Sequence, residues 1–506
     1  MSTLTIESAS GKLAGSETNG IASFKGVPYA QAPIGALRFQ APRPFVRWSG
    51  VRDALGYGAR AMQSDDAWGI APGLTEIGAA RVEPQNESCL YLNVWTATPL
   101  AGAKRPVMVW LHGGAFITGS GGSPMYDGTS FAREEGVVVV TLNHRLGSFG
   151  FMNLAEIGGA PFGASGNAGM LDIVAALVWV RDHIAAFGGD PGNVTIFGES
   201  GGGAKVSVLL AMPAADGLFH KAIVQSGPAV EMMKPADATA MTRKVMDALG
   251  VDDPSALLDV SAPALLAAQR TALQSVASAP FAERRRVGFN PVIDGRHLPA
   301  GPFEPVAPAI SKRIPLLIGT NKDEMSLFLA AAPWLKELGE GGLVKAAQRF
   351  VGERAGELVA AYRAARPADA PRDIVIALAS DQSMRMPSLV MADRKLALGG
   401  APVFVYLFTW ETPVGNGRLK STHALEIPFV FDTLDASAPF VGASPPRALA
   451  TLMRRTWAQF ARSGAPNGDA FETWPAYDSS RRATMVFGDS CRVVDDPMGN
   501  ERRAWG

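Results

Sequence analysis

The stretch Val194-Thr195-Ile196-Phe197-Gly198-Glu199-Ser200-Gly201-Gly202-Gly203-Ala204 decides how this chain is read. An apolar, β-branched run enters a Gly-x-Ser-x-Gly turn and leaves into the helix-compatible segment Ala204 to Ala211. Strand, turn and helix in that order form the setting of a nucleophile elbow, which holds a serine on a sharp turn with its hydroxyl exposed above a sheet. Glycines two residues before and two after the serine relieve crowding where the turn is too tight for side chains. A glycine-rich turn that binds a phosphate, or nothing, is the simpler alternative; the flanking strand and helix favour the elbow.

Working outward, Pro106 to Leu111, Val137 to Leu142, Asn193 to Phe197, Ala222 to Gln225, Pro315 to Gly319 and Val403 to Phe408 read as buried strands. Near-continuous apolar runs are what parallel strands covered on both faces require. Between Asn167 and Phe187, Met170, Ile173, Val174, Leu177, Val180, Ile184 and Phe187 recur as one helix face, and Thr451 to Arg462 is a second amphipathic segment. Strands alternating with helices predict an α/β fold, a large and mostly parallel sheet with helices on both faces. The first ~60 residues, with short runs bounded by Gly and Pro, predict antiparallel strands at one edge. Residues 230–310 and 325–400 are Ala-rich and predict helical excursions. A length of 506 residues would ordinarily suggest about three domains, but no linker separates any. The expectation is one domain over 1–506, with insertions at about 60–88, 230–310 and 325–400.

Composition narrows the function. Lys plus Arg and Asp plus Glu both number 47, so net charge is zero. The densest basic cluster is Arg284-Arg285-Arg286, which is no footprint for a phosphate backbone, and no nucleic-acid partner is expected. Charged residues make up 19%, below the usual ~25%, as a large buried interior allows. No run approaches the ~18 apolar residues of a membrane span, and the N-terminus lacks the basic start and apolar core of a secretory signal. Two cysteines, Cys89 and Cys491, cannot build a disulfide framework or a four-cysteine zinc site. A cytoplasmic protein with no membrane partner is expected.

A serine hydroxyl needs a base, and six histidines are available. In an α/β-hydrolase the acid and then the histidine follow the serine. His220 comes too early for an acid to intervene, and His297 sits in the turn-like Asp294-Gly295-Arg296-His297; both read as structural. His423 follows the strand Val403 to Trp410, in a loop beyond its carboxyl end, where α/β sites lie. The acid should also lie just beyond a strand, and Asp323-Glu324 after Pro315 to Gly319 offers two carboxylates; these patterns leave both open. His112-Gly113-Gly114-Ala115-Phe116, after another strand, supplies small residues whose backbone N–H groups can approach a developing oxyanion. His112 then supports the loop.

Together these blocks resemble the type-B carboxylesterases, the family of bacterial para-nitrobenzyl esterases and cholinesterases. The likeness runs from Phe24-Lys25-Gly26-Val27-Pro28-Tyr29-Ala30 to the strand near Phe487. It includes Glu87-Ser88-Cys89-Leu90-Tyr91-Leu92-Asn93-Val94, Asn143-His144-Arg145-Leu146-Gly147, Phe187-Gly188-Gly189-Asp190-Pro191 and Gln225-Ser226-Gly227. The resemblance implies an α/β-hydrolase fold with helical insertions over the active site. It also implies Glu324 as the acid, His423 as the base, and the N–H groups of Gly114, Ala115 and Gly201 as oxyanion donors. Glu199 and Ser226 match positions lining the site behind serine and histidine. Arg38 with Glu87, and Arg145 with Asp172, match structural salt bridges. Met325 departs from the glycine usual after the acid, and Ala424 from the glycine that follows the histidine in cholinesterases. Secreted relatives pair a cysteine at the Cys89 position with one near Met62, and none is present there. Trp68, the one aromatic between Gln63 and Ser88, is far from where choline-binding relatives place theirs, so a quaternary ammonium substrate is not expected.

The expectation is a serine carboxylesterase acting on a small-molecule ester through Ser200, His423 and Glu324, with no metal and no cofactor. Phe116, Met325 and Phe328 are candidate pocket walls. An amidase or peptidase on the same fold is the alternative, and a non-catalytic adhesion-type relative a remoter one. A metal-dependent hydrolase is disfavoured because no His-Glu-x-x-His spacing occurs.

Overall fold

The apolar runs pair into the centre of one sheet. A computed structural model describes residues 2–64, 83–97, 102–276, 288–468 and 473–506. Its strands are β1 (Ser2–Ser8), β2 (Gly11–Thr18), β3 (Ile21–Pro28), β4 (Val51–Asp53), β5 (Tyr91–Ala97), β6 (Arg105–Leu111), β7 (Val138–Leu142), β8 (Gly189–Glu199), β9 (Lys221–Gln225), β10 (Leu316–Asn321), β11 (Val403–Phe408), β12 (Ala483–Phe487) and β13 (Arg492–Asp495). They form a 13-stranded sheet in the order β1-β2-β3-β5-β7-β6-β8-β9-β10-β11-β12-β13, with β4 paired to β2. From β7 to β12 every neighbouring pair is parallel. β1, β2, β3 and β5 run antiparallel at one edge, and β13 closes the other antiparallel to β12.

Each central strand is buried on both faces because successive side chains alternate between two cores. Val107, Val109, Val138, Val140, Val194, Ile196, Ala222 and Val224 point to one layer, which contains Ile173, Leu177 and Val180 of α1 (Ala168–His183). Met108, Trp110, Val139, Phe197, Ile223 and Leu317 point to the other. Helices there include α9 (Arg447–Ser463), which contributes Met453, Trp457 and Phe460. The periodic segment ending at Phe187 divides into α1 and a 3₁₀ turn over Ile184–Phe187.

Two excursions leave the sheet. The first holds α3 (Pro235–Leu249) and α4 (Ala262–Gln274). The expectation of helix up to residue 310 needs correction: residues 288–308 are irregular chain, where Gly295, Pro299, Pro302, Pro305 and Pro308 interrupt any helical hydrogen-bond ladder. The second holds α5 (Leu343–Val351), α6 (Ala355–Ala365), α7 (Pro371–Ser380) and α8 (Met386–Leu398). Its Leu343, Phe350, Leu358, Tyr362 and Ile374 form a satellite core of their own. Trp68 and Arg284-Arg285-Arg286 lie outside the described residues. Among the described residues, no helix is long and apolar enough to cross a membrane.

The two ion pairs expected from the family resemblance are present. Arg145 meets Asp172 at 2.6 Å with both side chains buried, and Arg38 meets Glu87 at 2.6 Å while donating to the carbonyls of Leu257 and Val260. The second pair thereby ties the N-terminal segment to the first excursion. Cys89 and Cys491 are both free thiols.

Candidate active site

Strand β8 ends at Glu199, and α2 (Gly201–Leu209) begins one residue after Ser200. Ser200 adopts φ 55° and ψ −123°, a conformation that residues with a β-carbon avoid and that the surroundings must impose. Its backbone N–H donates to Gln225 O on β9 at 2.9 Å, and the residue is partly exposed. The sharpness of the turn is visible at Gly202, where an added Cβ would stand 1.9 Å from Leu111 O. Only glycine lets α2 start this close to the end of β6.

His423 and Glu324 arrive from loops beyond β11 and β10. The His423 Nδ1 lies 2.6 Å from Glu324 Oε2, and Glu324 Oε1 accepts the Asn321 N–H at 2.7 Å. The neighbouring Asp323 turns elsewhere, with Oδ2 facing Lys322 and the Ser421 N–H. Of the two carboxylates the sequence patterns left open, Glu324 is the one on the histidine. The other downstream histidines are engaged in local structure. His220 Nδ1 accepts the Val194 N–H at 3.1 Å, and His297 Nδ1 lies 2.7 Å from Asp294.

On the opposite ring edge, His423 Nε2 lies 3.2 Å from Glu199 Oε1. Burial disfavours charge on this imidazole, but the carboxylates of Glu199, Glu324 and Glu426 outweigh it and push it up to about 9. Burial pushes Glu199 well above the usual carboxylate range, and His423 pulls against it. The two groups titrate as a pair. Ser226, fully buried with φ 46°, lies at the end of β9 behind the elbow.

The loop after β6 carries Gly114 at φ 89° and Ala115 at φ 47°, both with positive φ. It packs directly on the start of α2: a Cβ built on Gly201 would lie 2.3 Å from Ala115 Cα. The backbone of Gly201 therefore lies directly against Ala115, the second left-handed residue of that loop. His112 stacks on His144 at 5.0 Å, with its Nδ1 2.8 Å from Gly113 O, as a loop support should.

The pocket candidates separate. Phe328 sets its ring 5.0 Å from that of His423. Met325 is buried in the satellite core of the second excursion, its N–H donating to Ser380 Oγ at 3.0 Å. Phe116 is buried edge-on against Phe151 at 5.2 Å. Sequence reasoning passed over a polar layer beneath the triad candidates. Asn321 Nδ2 donates to Glu426 Oε2 at 2.7 Å, Gln225 Nε2 to Glu426 Oε1 at 3.1 Å, and Trp457 Nε1 to Gln225 Oε1 at 3.0 Å. The signal was available: Glu426 is the lone charge in the apolar run Leu425 to Phe431.

Comparison with known proteins meets this geometry. The family model described as "Carboxylesterase family" matches residues 2–505. The chain belongs to the carboxylesterase family. As a carboxylesterase it is 37% identical to para-nitrobenzyl esterase of Bacillus subtilis over 97% of this chain and 96% of that protein. It is 34% identical to phenmedipham hydrolase of Pseudarthrobacter oxydans, over 95% and 94%. Among solved structures, a carboxylesterase of Geobacillus stearothermophilus superposes with a TM-score of 0.86 at 42% identity, covering 99% of this chain and 100% of that one. The α/β-hydrolase fold and the class of carboxylic-ester hydrolase follow for this carboxylesterase.

Proposed function

We propose that this carboxylesterase cleaves small, uncharged carboxylic esters through an acyl-enzyme, with Ser200 as nucleophile, His423 as general base and Glu324 as the acid that orients it. The observation that carries the reading is the 2.6 Å contact from Glu324 to His423 Nδ1, together with the left-handed, partly exposed Ser200 at the turn between β8 and α2. Ser200 Oγ attacks the ester carbonyl as His423 Nε2 takes its proton, while Glu324 fixes the tautomer and steadies the imidazolium. The carbonyl oxygen becomes an oxyanion held by the N–H groups of Gly114, Ala115 and Gly201, each such donor typically worth ~2.7–4 kcal/mol in the transition state. The tetrahedral intermediate collapses, the C–O bond to the alcohol breaks, and His423 returns its proton to the leaving oxygen. Water, deprotonated by the same histidine, then attacks the acyl carbonyl and releases the acid and free Ser200.

The Phe328 ring beside His423 supports an apolar substrate wall. The unbroken sheet from β1 to β13 supports reading 1–506 as one catalytic domain. A reducing, cytoplasmic setting is supported by Cys89 as a buried thiol, which burial pushes above the ordinary thiol range.

The test is pre-steady-state turnover of p-nitrophenyl esters graded by acyl length, beside matched anilides. A burst of one p-nitrophenolate per wild-type chain, absent in Ser200→Ala, together with faster ester than anilide turnover, is the expected result. Full activity in Ser200→Ala, or an anilide preference, overturns the proposal.

A further inference from the structure

Lys205, the fifth residue of α2, is fully buried at the foot of the oxyanion loop. Its Nζ donates to His112 O at 3.0 Å and to Ala115 O at 2.7 Å. These two carbonyls bracket Gly113 and Gly114 and close the run that carries the Gly114 and Ala115 N–H groups. A single ammonium therefore holds both ends of the loop to the helix that begins at the elbow. The ring centroid of Phe116 lies 5.3 Å from the same Nζ, so the residue after the loop is held there as well. Glu199 approaches from the other side, its Oε2 3.1 Å from where a Cβ on Gly113 would stand.

A hydrophobic side chain of equal length would fill this space without the cost of burying a charge. It would leave the His112 and Ala115 carbonyls without this donor. Burial pushes the Lys205 ammonium down to about 7, with Glu199 pulling it back up. Other ionisable neighbours are the stacked His112 and His144, the latter pushed by burial well below the ordinary imidazole range.

We propose that Lys205 is a positioning residue for ester hydrolysis: its Nζ pins the His112–Ala115 loop through both terminal carbonyls. The inference rests on the proposed Ser200 mechanism. It predicts that Lys205 acts on the transition state more than on substrate binding, because the oxyanion exists only after Ser200 has attacked.

The experiment compares wild type, Lys205→Met and Lys205→Arg for kcat and KM on p-nitrophenyl acetate. It also measures inhibition by an alkyl trifluoromethyl ketone, which adds to a serine hydroxyl and bears an oxyanion. Losing one oxyanion donor typically costs ~100–1,000-fold; loosening the loop should cost about 10–100-fold. That loss is expected in kcat, with KM within about threefold. The inhibition constant should rise in parallel, and Lys205→Arg should recover part of both. Unchanged kcat, a loss confined to KM, an unchanged inhibition constant, or failure of both variants to fold overturns the inference. Ser200→Ala is assayed alongside. If it keeps full activity, the underlying mechanism fails. If it is inactive while Lys205→Met is fully active, only the role of Lys205 fails.

Discussion

Replacing Glu199 by Gln probes the electrostatics of the site directly. The Glu199 Oε1 stands 3.2 Å from His423 Nε2, close enough that opposite charges at an effective dielectric of about 20 attract by at most about 5 kcal/mol. One such neighbour commonly moves a pKa by ~1–3 units. His423 is pushed up to about 9 against burial, with Glu199 the foremost carboxylate raising it and Glu324 next. Only the neutral imidazole can take the serine proton, so the acid limb of kcat/KM in the wild type should lie well above the ordinary histidine range. Glu199→Gln removes the carboxyl that shares a coupled titration with His423 and steadies the imidazolium, so the imidazole should lose its proton at lower pH. The limb should move to lower pH by ~1–3 units, with Glu324 still holding Nδ1. The assay is kcat/KM for a p-nitrophenyl ester from mildly acidic to alkaline pH, corrected for spontaneous hydrolysis, with thermal melts to confirm equal folding. A limb that stays in place, or moves to higher pH, refutes the claim that the Glu199 carboxyl raises His423.

Two further substitutions test the frame around the site. Asp172→Asn leaves the buried Arg145 guanidinium without the carboxylate that accepts from its Nε and Nη2. It should cost about 3–5 kcal/mol in urea unfolding, with kcat per folded molecule unchanged; a loss under about 1 kcal/mol would contradict the structural role. Gly202→Ala forces a Cβ to 1.9 Å from Leu111 O and should lower kcat/KM by about 100-fold or more, as misplacement near the chemistry does. Activity within threefold of wild type would show that the elbow tolerates a wider turn.

The parts of this molecule legible in sequence were those written in local pattern. Continuous apolar runs located β6 to β11 because a strand covered on both faces has no polar positions to interrupt it. The elbow was legible because its glycines answer a steric demand set within a few residues of Ser200. The choice between Asp323 and Glu324 was not, since it depends on which carboxylate reaches a histidine about a hundred residues away. The resemblance to a family supplied Glu324, and the 2.6 Å contact gives its physical basis. The irregular chain at 288–308 was misjudged because alanine content outweighed the prolines and glycine that break it. Glu426 and Lys205 were passed over for a related reason. Each is a single charge in an apolar segment, and its partners, Asn321 and Gln225 for one and the His112 and Ala115 carbonyls for the other, come from distant parts of the chain. Composition likewise cannot say which of three pocket candidates meets His423; packing sends Phe116 and Met325 into cores and leaves Phe328 against that ring.

The central claim is that Ser200 is the covalent nucleophile. Inhibiting the enzyme with diethyl p-nitrophenyl phosphate and mapping its peptides by mass spectrometry tests this most directly. One diethylphosphoryl group per chain is expected, on Ser200, with loss of activity in proportion to labelling. Full inactivation with the label on another residue, or with Ser200 unmodified, would contradict it.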